Sequence, residues 1–399
     1  MTGPRFKLTP DEARAVLLDG VGRLGEARVA LGEAQGRVLA EDVVADRSQP
    51  PFAASAMDGW AVGGPGPEFR IVGVSAAGHG HGARLGADEA VRIFTGAPVP
   101  EGARQVVVQE LAEAEGERLR IPDPPPARDN IRGAGVDFRV GDLLLRAGAV
   151  LDPWRLALAA AAGRADLLVA RRPEVVVIGT GSEVVAAGTA PGPDQIFDSN
   201  TPALAALVRA WGGAPGPVTR VRDEADAVVK AIGPAGGDLV VTLGGASVGE
   251  HDLVKPALRA LGLVLDFEQV RLRPGKPVWA GRLADGRRVL GLPGNPGSAL
   301  VCAELFLAPL LRALQGSEPG PFMETARLAA PLPAGGPFDA WLRGRLWTEA
   351  GMLMAAPLPD QDSSLVQAFA GAQALIRRPP EAEAAEAGAV VEVLRLGRG

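Results

Sequence analysis

The stretch Asp238–Lys255, DLVVTLGGASVGEHDLVK, holds the residues that point most directly to chemistry. Its apolar run, Asp238–Leu243, predicts a buried strand, and Gly244–Gly249 a glycine-rich turn feeding a helix near His251. Such a turn exposes unpaired backbone N–H groups beside the positive end of a helix dipole, which suits a phosphate. The same stretch carries Glu250 and Asp252. Carboxylates repel phosphate unless a divalent cation lies between them, so these residue types together ask for phosphate plus Mg2+. Doubly wound folds also carry such turns with no ligand, so the stretch alone does not decide.

Two more strand–turn–helix units have distinctive turns, GTGSE (179–183) and LPGNPGS (292–298). Strand ends on one edge of a parallel sheet converge, so the three turns are expected to line one crevice. Arg273-Pro274-Gly275-Lys276-Pro277 is expected to enter it too, with Lys276 either a point charge for phosphate or a solvated loop lysine. None of the turns is a Walker A sequence or a dinucleotide fingerprint. Carboxylates in glycine-flanked, non-helical settings are Asp58, Asp137, Glu183, Asp198 and Asp252. Asp223 reads first as the N-cap of a helix Glu224–Ile232. Asp58 and Asp137 lie outside the α/β region and matter only if a second domain, from the same or another subunit, faces the crevice. His79 and His81, in GHGHG, fit a solvated turn better than a metal site, and His251 gains interest only from its position. Cys302 sits in a helix of apolar spacing and reads as core. No nucleophile elbow is present, which argues against acyl-enzyme chemistry.

The elements that position these residues follow from periodicity. Thr9-Pro10-Asp11-Glu12 is a capping box that opens a helix to about Leu18. Val29–Val44 reads as strand, helical turn and strand. RSQPPFAASAMDGWAV, from Arg47, reads as a loop of small residues. Short alternating strands follow at Phe69–Val74, Ala90–Thr95, Gln105–Glu110 and Glu117–Ile121, separated by Gly/Pro turns, and predict a small β-domain. DPPP (123–126) is a stiff connector, and Asp152-Pro153 starts a helix ending near Gly163. Strand–helix alternation from Arg172 to about Leu314 predicts an α/β domain with a parallel sheet. It includes a hairpin around Asp285-Gly286. After Gly316 the period returns to two, and a small all-β C-terminal domain is expected.

Composition narrows the partners. The 399 residues hold 41 Lys+Arg against 47 Asp+Glu, a net charge of −6, so no bulk electrostatic case for nucleic acid exists. A single Cys302 excludes an intrachain disulfide framework and a cysteine zinc site. The N-terminal sequence lacks a signal-peptide apolar core, and no run reads as long enough to span a bilayer, so a cytoplasmic protein with no membrane partner is expected.

Taken together the motifs resemble the molybdopterin molybdenumtransferase family, also called MoeA, which includes the E domain of gephyrin. The matching stretches, in the family's order, are SAMDGWAV (55–62), IFTGAPVPEGA (93–103), NIRGAGVDF (130–138), GTGSEVV (179–185), IFDSN (196–200), TLGGASVGEHDLVK (242–255), RPGKPVWAG (273–281) and GLPGNPGSA (291–299). The resemblance implies α/β and β multidomain architecture in four parts. These are a small helical and extended N-terminal domain (1–46 plus 139–170), an inserted β-rich domain (47–138), a molybdopterin-binding-like α/β domain with a parallel-dominated sheet (171–318) and a C-terminal β-barrel (319–399). It also implies a homodimer whose cleft is shared between the α/β domain of one subunit and the inserted domain of the other. The implied reaction converts adenylylated molybdopterin and molybdate to molybdenum cofactor and AMP, with Mg2+ assisting.

By motif position, the resemblance assigns Glu183 and Asp252 to Mg2+, places Asp58, Thr95 and Asp137 on the molybdate side, and gives Asp223 an orienting role. Substrate contacts fall on Gly179, Thr180, Gly181, Ser182, Ser199, Asn200, Gly244, Gly245, Ser247, Gly249, Arg273, Pro274, Gly275, Lys276, Pro293, Gly294, Asn295 and Pro296. Three departures stand out. Arg273 replaces the usual lysine and Gln269 a second basic position; Arg271, between them, is expected on the same strand face. Trp60 replaces the usual tyrosine, and Gln361-Asp362-Ser363-Ser364 shortens a usual Gln-Gly-Ser loop. The alternatives are a stand-alone α/β relative, either a molybdopterin adenylyltransferase or a nucleotide pyrophosphatase of the competence-damage type, or a non-catalytic scaffold. Stand-alone adenylyltransferases lack the inserted domain, and a scaffold would need further binding modules.

Overall fold

The computed structural model describes residues 5–123, 127–221, 224–232, 236–244 and 253–397. Contacts divide the chain into two compact units, one of Met1–Ala27, Gly36–Ala40 and Leu168–Gly399, the other of Arg28–Gln35 and Glu41–Leu167.

The first unit is built on a seven-stranded sheet. Glu174–Thr180 pairs in parallel with Ala214–Val221 on one side and Leu239–Leu243 on the other, and Leu239–Leu243 pairs in parallel with Arg288–Leu292. The expected hairpin follows, with Trp279–Arg282 antiparallel to Arg288–Leu292 and to Val264–Val270. Successive side chains of a strand face opposite sides. Val175 and Val177 therefore join one core with helices Pro10–Leu18, Asn200–Ala210 and Pro296–Leu314, while Val176 and Ile178 join a second core with Ala225–Ile232 and Val254–Ala260.

The N-terminal strand forms the sheet's far edge. Arg5–Leu8 pairs in parallel with Val264–Val270, so the N-terminal strand and the helix it feeds pack with the α/β body. Only a partner some 260 positions away in the chain (Arg5 opposite Phe267) reveals this pairing. Thr9 and Glu12 form the predicted capping box.

Pro296–Leu314 corrects an expectation. It is 19 residues long with mean hydropathy 1.6, long and apolar enough to cross a membrane by length and composition. Yet 78% of it is buried inside the protein, where Val301, Leu305, Phe306 and Leu310 fill the core. Its apolarity serves packing on both sides. Cys302 in this helix is fully buried, and burial pushes its thiol well above the usual range.

Strands of the C-terminal region close on themselves. Asp339–Glu349 pairs with both Met352–Pro357 and Ala374–Arg378, and Met323–Leu328 and Val390–Arg395 complete a five-stranded barrel. Leu272–Arg273 adds to its edge beside Asp339 and Ala340. Trp341, Leu375 and Leu394 join the α/β core, so the barrel is seated on it.

The second unit holds a six-stranded sheet in the order Gln105–Val108, Gly59–Val62, Glu89–Ile93, Glu68–Ser75, Arg118–Arg120, Glu113–Glu115. The four predicted strands are present. Gly59–Val62, read as loop, is a strand between Glu89–Ile93 and Gln105–Val108. Its small residues mislead: a side chain at Gly59 would meet the Val107 carbonyl oxygen at 2.0 Å, so close strand packing requires glycine there. Helix Pro153–Ala161 is capped by Asp152 as expected.

Candidate functional site

In the first unit, the C-terminal ends of the parallel strands open into a cleft of about 660 Å³. GTGSE contributes Gly179, Thr180, Gly181 and Glu183, the second turn contributes Gly244, and LPGNPGS contributes Gly294, Asn295 and Pro296. The expected convergence therefore holds for these three segments. Ser199 and Asn200 line the same cleft at the start of helix Asn200–Ala210, and Asn295 and Pro296 stand at the start of the apolar core helix. Two helix N-termini thus face one cavity, with their positive dipole ends toward it. Glycine is obligatory at its wall: Gly244 has φ +85°, and a side chain there would stand 2.8 Å from the Thr180 hydroxyl. Asn200 donates to the Gly294 carbonyl at 2.7 Å, and its buried Oδ1 has no partner among the described residues.

Asp198, also on this wall, is occupied structurally. It accepts the backbone N–H groups of Asn200 and Thr201 and the Thr201 hydroxyl, and pairs with Arg220 at 2.6 Å. Burial pushes its carboxyl up, but the Thr201 hydrogen bonds and then Arg220 outweigh that, and it lies below the ordinary value. A depressed folded pKa adds stability that is present above the unfolded value and lost as pH falls through the folded one. Asp198→Asn is therefore expected to cost about 2 kcal/mol at neutral pH. The gap to wild type should narrow below about pH 4, which urea unfolding at pH 7 and pH 3 measures. An equal gap at both pH values would refute the assignment.

The basic loop departs from the one-crevice expectation. Arg273, Pro274, Gly275, Lys276 and Pro277 line a second cavity of about 630 Å³, together with Ser298, Gln361, Asp362, Ser363 and Arg378. The strand Val264–Val270 ends just before this loop, and Leu272–Arg273 pairs instead with Asp339–Ala340 at the barrel edge, which carries the loop to the second cavity. Across this stretch Val270 and Leu272 are buried while Arg271 and Arg273 are exposed and Gln269 is half-buried, the alternation that period two predicts. Gly275 has φ +116°, and a side chain on it would approach Cys302 Sγ to 2.5 Å, so glycine here lets the loop lie on the core helix. The shortened loop keeps a place at both cavities, with Ser364 on the first and Gln361–Ser363 on the second. Gly297 donates to the Ser363 carbonyl at 2.7 Å, and Arg343 donates to that of Asp362 at 2.9 Å, which fixes the loop beneath the core helix.

In the second unit, Asp58 and Thr95 form one cluster. Asp58 Oδ1 accepts the Thr95 backbone N–H at 2.7 Å and its hydroxyl at 2.8 Å, and these two bonds hold the carboxyl below its ordinary range. Asp137 is exposed on a neighbouring loop, where its N–H donates to the Gln49 carbonyl at 3.0 Å. The His79 turn is closed by reciprocal backbone bonds with Ala76.

The family comparisons span all of these segments. Residues 8–163 match the MoeA N-terminal region (domain I and II), 176–313 a probable molybdopterin binding domain, and 325–396 the MoeA C-terminal region (domain IV). The molybdopterin molybdenumtransferase of Staphylococcus aureus is 31% identical over 92% of this chain and 90% of its own. That of Bacillus subtilis is 33% identical over 92% and 89%. The chain belongs to the molybdopterin molybdenumtransferase (MoeA) family. It is thus a transferase of molybdenum cofactor biosynthesis. The solved molybdopterin biosynthesis MoeA protein from Pyrococcus horikosii shares the fold, with a TM-score of 0.82, 29% identity, and coverage of 98% of this chain and 100% of that one. The matches outside the α/β domain decide against the stand-alone α/β relatives.

Within this MoeA framework, Asp223, Gly245, Ser247, Gly249, Glu250, His251 and Asp252 lie outside the described residues. Ser182 is exposed beside the cleft. Pro293 precedes the lining residues Gly294–Pro296. Sequence reasoning missed Arg220 and Arg378. Arg220 sits near the C-terminal end of a parallel strand, a position that flags cleft residues in α/β folds. Arg378 has no local signal, because barrel closure alone brings it to the second cavity.

Proposed function

We propose that the chain inserts molybdenum from molybdate into adenylylated molybdopterin and releases AMP and molybdenum cofactor. The observation that carries this is the glycine-walled cleft onto which two helix N-termini open. It lets a phosphate-rich substrate approach backbone closely. Metal insertion needs no protein nucleophile, because the dithiolene sulfurs of the substrate are the ligands; the buried Cys302 is consistent with that. Arg273, Lys276 and Arg378 give the second cavity a cationic lining suited to anionic parts of the substrates.

The donor chemistry fits Mg2+. This ion takes one or two carboxylates plus substrate phosphate oxygens rather than an all-protein cage. Exposed Glu183 offers a carboxylate at the cleft, and Asp252 is the proposed second one. When bound, the ion would supply Lewis-acid polarisation of the phosphates. Asp58 and Thr95, with Asp137, are proposed on the molybdate side, and Asp223 in orientation. They would meet the cleft across a homodimer.

The test is AMP release from adenylylated molybdopterin by purified protein. Release should require both molybdate and Mg2+, and its absence with both present would sink the reading. Unchanged turnover in Asp252→Ala would remove the metal assignment. Mixed dimers of Asp58→Ala and Glu183→Ala subunits should regain activity if the cleft is shared, since one cleft per dimer is then intact.

A further inference from the structure

Beside Asp58, one arginine touches every backbone segment that holds the Asp58–Thr95 pair. Arg92 lies opposite Trp60 across the paired strands, and its guanidinium carbon sits 5.2 Å from the Trp60 ring centre and 5.1 Å from that of Phe94. One end of the guanidinium donates to the Gly59 carbonyl at 3.2 Å, the other to Gln109 Oε1 at 2.6 Å. The Gln109 N–H donates in turn to the Asp58 carbonyl at 3.2 Å. Phe94 immediately precedes Thr95, whose two donors hold the Asp58 carboxylate.

We infer that Arg92 is a positioning residue for the reaction, fixing the Asp58–Thr95 pair through this clamp. The inference rests on the proposed role of Asp58. Three features separate this arrangement from ordinary packing. Phe94 as a residue is 39% exposed, so burying it is not the purpose of the stack. The two guanidinium ends bridge different segments, a fork geometry that a lysine point charge cannot reproduce. The positive charge also lies close enough to Asp58 to favour its ionised form.

Arg92→Lys keeps the charge and removes the fork. In the full-length protein it is expected to lower kcat for AMP release about tenfold, with KM for adenylylated molybdopterin and the unfolding midpoint near wild type. Gln109→Leu cuts the same strut on the exposed side and should lower kcat in the same direction, which keeps the proposal testable if Arg92→Lys does not fold. Asp58→Asn is the reference. Because Arg92 acts through Asp58, the double variant should be no slower than Asp58→Asn alone. Wild-type kcat in folded Arg92→Lys and Gln109→Leu would overturn the inference, as would multiplicative losses in the double variant. Full activity in Asp58→Asn would instead remove the role of Asp58 itself, and the positioning role with it.

Discussion

Glu183→Ala is expected to lower AMP release about a hundredfold or more while leaving the unfolding midpoint almost unchanged. The side chain is exposed on the cleft wall, and surface substitutions of this kind rarely shift stability by more than about 0.5 kcal/mol. Its proposed work is to hold Mg2+ against the phosphates. Lewis-acid stabilisation of developing charge is worth several kcal/mol, and each ~1.4 kcal/mol is tenfold in rate. Glu183 stands beside Gly181, where a side chain would meet its carboxylate oxygens at 2.8 and 2.9 Å, so the turn is shaped around this carboxylate. The measurement is kcat at saturating substrates across a Mg2+ titration. A raised half-saturating Mg2+ concentration with the loss in kcat supports a ligand role. Turnover within twofold of wild type would end it.

Gly291→Ala is expected to destabilise the α/β unit by about 3 kcal/mol, near the upper end for overpacked cores. Gly291 lies in a central strand directly opposite Trp279, which is completely buried. The indole occupies the place where a side chain at 291 would stand, and an added Cβ would fall 1.9 Å from its Cε2. The ring has nowhere to go, because Val289, Leu283 and Leu263 fill the same core. The unfolding midpoint of Gly291→Ala should drop by several degrees, and Trp279→Leu in the same chain should recover part of the loss. An unchanged midpoint would show that the sheet shifts to admit the methyl group.

These two residues also mark how far the sequence reads. Glu183 was legible because a strand, a glycine turn and a carboxylate are adjacent in the chain, and local patterns record local geometry. The same holds for the Thr9 capping box, the Asp285-Gly286 hairpin and the three turns of the cleft. Gly291 was not legible as a packing position, since nothing near it predicts that Trp279 will lie across it.

The amino-acid sequence alone determined the alternation of strands and helices, the glycine turns at the parallel strand ends and the motif order of the family. The first two are set by side-chain period and backbone freedom over a few residues, and the third is a resemblance carried by the motifs themselves. Only the tertiary structure decided which distant segments meet. Arg5–Leu8 became a sheet edge, the small-residue segment at Gly59–Val62 became an inner strand, and the apolar Pro296–Leu314 became the buried core helix. Pairing of Leu272–Arg273 at the barrel edge carried Lys276 to a second cavity, and sheet pairing placed Arg92 between Trp60 and Phe94. Such contacts depend on pairing and burial between residues far apart in the chain, and no short-range pattern encodes them.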